Sequence, residues 1–157
     1  MKKILGLVSV ISILFCGAVF SQQDSYSLRV EKIVQEANTL AVSLRNGALD
    51  FNNYDKWYKN FKNLSEGFEK EYMQDYKQKE SFIAMREGLN ELSAAWNAFK
   101  QVDYAQKQYQ EYITTDDVAY AHQWKKTISD SQKKATESIN QALEIFKQAS
   151  DALSGGN

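Results

Sequence analysis

From Asn52 to Ile113 the apolar positions of this chain step along in threes and fours with no proline among them. Tyr54, Trp57, Phe61, Leu64 and Phe68 open the series, and Phe82, Met85, Leu89, Leu92, Trp96 and Phe99 continue it. Phe68 and Phe82 stand fourteen residues apart, two heptads, so both halves share one register. Such spacing predicts a single apolar stripe along a helix. A stripe of that kind must be buried against other helices.

The pattern weakens between Glu69 and Glu80, where the heptad core positions fall on Glu71, Asp75 and Gln78. Polar side chains there cannot be buried cheaply without partners. Two readings follow: a chain reversal near Gln74 to Lys79, giving four helices, or an unbroken helix with a solvated waist, giving three. The reversal is preferred.

The flanking segments supply the packing partners. Tyr26, Val30, Ile33, Ala37, Leu40 and Leu44 predict a first helix, with Val34 and Ala41 widening its stripe. Asp24 or Ser25 can cap its start and Asn46-Gly47 can end it. Leu49 and Phe51 are expected to tuck under the connection, and the central stretch to begin at Asn53 or Asp55. Beyond Phe99 the stripe passes through Val102, Gln106, Tyr109 and Ile113, one residue out of the earlier heptad. Shifts of that kind change supercoiling locally. Thr114-Thr115-Asp116-Asp117 is the clearest turn, with a threonine expected to cap the next helix. Ala121, Trp124, Ile128, Ala135, Ile139, Ala142, Phe146, Ala149 and Leu153 then mark the last one. The expected fold class is all-α: an elongated antiparallel bundle of three or four helices, one domain over 22–153 with a flexible tail at 154–157.

Composition narrows the classes. With 25% charged and 43% hydrophobic residues the chain is ordinary for a globular protein. It has no proline and seven glycines, too few turn formers for an antiparallel β protein of this size. The formal charge is −1, and loss of Lys2 and Lys3 with a leader would take it to −3. Both the size and the sign argue against nucleic acid as a partner.

Met1-Lys2-Lys3 followed by the apolar run Ile4 to Phe20 has the layout of a secretory signal peptide. Cleavage is expected after Ser21, with Ala18 as second choice, leaving a periplasmic or secreted protein with no stable membrane span. Cys16 raises lipid attachment as the alternative. Phe15 is bulky where a lipoprotein signal wants a small residue, and Gly17 to Phe20 stays apolar where a tether turns polar. After cleavage at Ser21 no cysteine remains for a disulfide.

Candidate chemistry is sparse. His122 is the sole histidine, whereas a di-iron bundle needs paired Glu-x-x-His units. Haem ligation by His122 with Met73 or Met85, or zinc held with Asp116 or Asp117, has no supporting motif. No serine sits in a Gly-x-Ser-x-Gly turn, and no Gly-rich phosphate loop is present. A non-catalytic protein is expected, without metal or cofactor. The remaining cluster is aromatic. Tyr104, Tyr109, Tyr112, Tyr120 and Trp124 surround the 114–117 turn, and they are the candidate partner-binding residues. If Tyr109 faces inward, helical spacing places Tyr104 and Tyr120 partly outward. Tyr72 to Lys79 is a second candidate surface.

Leader, long proline-free helices and missing cofactor ligands together make the layout similar in outline to minor pilus components of type IV secretion systems. That similarity implies a protein-interaction role in the bacterial envelope, with self-association possible, and assigns no residues. The alternative is a periplasmic carrier holding a small ligand or lipid between helices beside Trp57, Phe61, Trp96 and Phe99.

Overall fold

The computed structural model describes residues 25–40, 42–43, 51–76, 78–115 and 117–154. The leader with its cleavage site, Cys16, the Asn46-Gly47 stop, Leu49 and the glycine tail lie outside them. So do Ala41, Leu44 and Asp116. Four antiparallel helices make up the described residues: α1 (25–40, continuing at 42–43), α2 (Phe51–Tyr76), α3 (Glu80–Thr114) and α4 (Val118–Ser154).

The reversal falls where the hydrophobic pattern weakens. Lys79 takes an extended backbone (φ −75°, ψ 134°), its N–H donates to the Tyr76 carbonyl at 2.8 Å, and its own carbonyl accepts from Phe82 and Ile83. The chain turns here with neither glycine nor proline in the segment. The waist reading is therefore replaced by a turn. The heptad forecast also fails locally: Glu71 and Asp75 point to solvent, while Phe68, Tyr72 and Tyr76 are buried. Two steps of four residues carry the stripe about 80° around the helix, onto the side where Tyr26 of α1 packs. Tyr72 and Tyr76 are thus interior rings, not the second surface expected. α2 also begins earlier than forecast, at Phe51.

Tyr26, Val30, Ile33, Ala37 and Leu40 of α1 are all buried, as the spacing requires. They join Tyr54, Phe61 and Phe68 of α2, Phe82, Met85 and Leu92 of α3, and Ile139 and Phe146 of α4 in one core. Trp57, Leu64, Leu89, Trp96 and Phe99 pack against this core from its edge. The inner line of α3 runs instead through Gly88, Ala95, Ala98, Val102 and Ala105. α3 packs along α4, whose buried small residues are Ala121, Ser131, Ala135, Ser138, Ala142 and Ala149. Small residues on both sides let these helices approach closely. At Gly88 a Cβ would lie 2.5 Å from the Phe146 ring, so glycine leaves that ring its space.

Antiparallel pairing fixes where α2 ends its cover. The Tyr54 ring lies 4.7 Å from Phe99, and its hydroxyl donates to the Leu92 carbonyl at 2.9 Å. Trp96 Nε1 donates to Asp55 Oδ1 at 2.8 Å. At the opposite end Phe68 meets Phe82, and Arg86 pairs with Glu69 at 2.8 Å. Since α2 starts at Phe51, most of α3 after Lys100 runs past it and has α4 as its main neighbour among the described residues. These last fourteen residues of α3, about 21 Å of helix, form with the start of α4 a two-helix arm beyond a four-helix body.

Candidate docking site on the arm

The end of the arm is closed by its own backbone and side chains. Asp117 N–H donates to the Tyr112 carbonyl at 3.2 Å. The Thr114 hydroxyl donates to the Glu111 carbonyl at 2.6 Å, and Thr115 to that of Tyr112 at 3.2 Å. Both threonines therefore satisfy the last carbonyls of α3. The cap of α4 is the Asp117 carboxylate, which accepts from Tyr120 N–H at 3.5 Å, so the expected threonine cap is corrected.

The five candidate aromatics divide into two sets. Tyr104 and Trp124 meet edge to face across the helices at 5.7 Å, and Tyr112 stacks on Tyr120 at 5.4 Å and 19°. Such pairs hold rings in place beyond what their buried area provides. Tyr109 is half-buried and lines a cleft of about 220 Å³ with Tyr112, Ile113, Val118, His122 and Lys125. Tyr120 lies two residues, about 200° of helix, from both Val118 and His122. Ring pairs and cleft consequently occupy opposite flanks, with Tyr112 reaching both.

Exposure follows the expected phase: Tyr104 is 56% and Tyr120 52% exposed while Tyr109 turns inward. Ile113 and Val118, on either side of the turn, are also open at 47% and 63%. Lys125 lay outside the expected aromatic cluster; its place seven residues after Val118 is the signal that puts both on one face.

His122 lies on the exposed face of α4 at the cleft. Met85 is in the body core and Met73 is exposed near the end of α2, so the structure does not gather the three around a common site. Among the described residues no group of three or more His, Cys, Asp or Glu is placed to hold a metal ion. No helix among them is long and apolar enough to cross a membrane. Beside Trp57 and Phe61, the proposed carrier position, the rings stack on one another at 4.8 Å, and Tyr58 stacks on Trp96 at 5.2 Å.

No protein family, curated protein or solved structure matches this chain.

Proposed function

We propose that this chain is a non-catalytic protein-interaction module of the bacterial envelope, exported by its leader and using the arm as its contact surface. The observation that carries the reading is that four of the eight large apolar side chains exposed among the described residues lie on this short arm: Tyr104, Ile113, Val118 and Tyr120, with Leu28, Val42, Met73 and Ile83 spread over the body. Apolar side chains left open on both flanks of a two-helix arm support a contact role. The ring pairs Tyr104–Trp124 and Tyr112–Tyr120 are already ordered, which lowers the entropic cost of docking. A role in a secretion or conjugation assembly, as a minor pilus component, is the finer form of this proposal.

Site-specific photo-crosslinking from Tyr112 in the native envelope tests it, with exposed Lys134, midway along α4, as control. A discrete product from Tyr112 and none from Lys134 is expected. No product from an abundant, folded protein would overturn the reading and favour a carrier. That second reading draws on a groove of about 250 Å³ lined by Lys32, Glu36, Trp57, Phe61 and Leu64, and predicts a tryptophan fluorescence change on ligand addition.

A further inference from the structure

The cleft at the end of the arm does not stand alone. A second, shallower one is lined by Asp103, Gln106, Lys107, Gln110 and Ile128, and shares Tyr109 with it. Together they form a groove along α3 from Asp103 to Ile113, ten residues or about 15 Å at 1.5 Å per residue. Two to three turns of an added helix fit that length, with apolar anchors at i, i+3 or i+4, and i+7. Tyr109, Ile113, Val118 and Ile128 provide the apolar floor and walls.

The charge of the groove selects among helices. Asp103 is already paired with Lys107 at 2.8 Å. The distal cleft is lined by Lys125 and His122 with no carboxylate among its described lining. Lys125 makes no ion pair among the described residues. A partner carrying acids along the edge of its apolar face would complement this cation, and a basic one would be repelled.

We infer that the groove docks an acidic amphipathic helix of a partner protein, its apolar face on Tyr109, Ile113, Val118 and Ile128 and its carboxylates toward Lys125. The inference rests on the interaction reading above and adds the chemistry of the partner and the flank it uses.

The test is photo-crosslinking of the full chain, in the cells that make it, from Ile113 in the groove and from Tyr104 on the opposite flank. Crosslinked peptides are sequenced by mass spectrometry. The expected product comes from Ile113 and maps to a segment of another protein with apolar residues at helical spacing and an excess of Asp and Glu. Lys125→Glu should cut its yield about fivefold, and Lys125→Arg should preserve it, with melting curves unchanged. A product from Tyr104 alone overturns the groove and leaves the interaction reading in place. A mapped segment that is basic, or that belongs to a second copy of this chain, overturns the assigned occupant. A yield from Ile113 indifferent to Lys125→Glu overturns the charge selection. No product from either position overturns the groove and the interaction reading together.

Discussion

Tyr26 of α1 lies flat on Tyr76 at the end of α2, ring centroids 4.1 Å apart and planes within 8°. The same ring touches Phe68 and Tyr72, and its hydroxyl shares a 2.7 Å hydrogen bond with Ser81 at the start of α3. One side chain thus ties three helices at the foot of the body. Burial pushes its hydroxyl pKa up, so the phenol stays protonated. Tyr26→Ala should cost about 3–5 kcal/mol, the range for large buried rings. Tyr26→Phe keeps the stacks and should cost about 1 kcal/mol for the lost hydrogen bond. Urea unfolding distinguishes the two; equal losses would mean that the hydroxyl, not the ring, holds the helices.

Gly88 gives the second prediction. Alanine there gains about 1 kcal/mol of helix propensity, but its methyl enters the space of a fully buried Phe146. Overpacking costs about 1–3 kcal/mol, so Gly88→Ala should be net destabilising. Phe146→Leu should cost less in the Gly88→Ala background than alone, a coupling that a double-mutant cycle measures.

Trp96 carries the third. It sits at the core edge, half-buried, stacked on Tyr58, bonded to Asp55 and covered by Lys100 at 5.2 Å. Trp96→Ala should therefore cost about 2 kcal/mol, below the ~3–5 kcal/mol of a fully buried ring. Thermal melting is the check.

Asp55 makes a pH prediction. Hydrogen bonds from Lys59 and then Trp96, opposed by slight desolvation, hold its carboxyl below the ordinary aspartate value. A lowered folded-state pKa contributes stability that is complete above the unfolded value of about 3.9 and is lost as pH falls through the folded one. Asp55→Asn should flatten the stability profile below about pH 4, leaving the neutral region with a constant offset. Urea midpoints measured across that range test the sign.

The arm should open more easily than the body. Its inner residues are small, Val102, Ala105 and Ala121, whereas the body segment of α3 packs Phe82, Met85 and Leu92. Local opening is governed by the apolar contact it breaks. Amides of 105–112 should exchange at least about tenfold faster than those of 84–95 in the same helix.

The fold was largely legible because the stripes of α1 and α4 repeat at helical spacing, and Tyr26 through Leu40 and Ala135 through Ala149 pack as that spacing demands, whereas Trp124 and Ile128 of the same stripe are only half-buried. What escaped the pattern has physical causes. A heptad extended from Phe68 lands on Glu71 and Asp75, whereas a straight helix drifts to Tyr72 and Tyr76, and only the position of Tyr26 reveals the drift. Likewise Trp96 and Phe99 dominate a hydrophobicity pattern, but close helix approach favours Gly88, Ala95 and Ala98, whose small side chains give a weak signal. At the candidate site the opposed phases of Tyr104 and Tyr109 were readable. Lys125 joining Ile113 across the arm required knowing how α3 and α4 pair.

The account rests on a division of labour between a self-sufficient body and a docking arm. Replacing residues 104–126 with a short glycine-rich turn removes the arm and no member of the core. Binding of the partner captured from Tyr112 is then measured for the full and shortened chains, each confirmed folded by its melting curve. The account predicts a shortened chain that melts close to the full one and no longer binds. Undiminished binding by the armless body would contradict it.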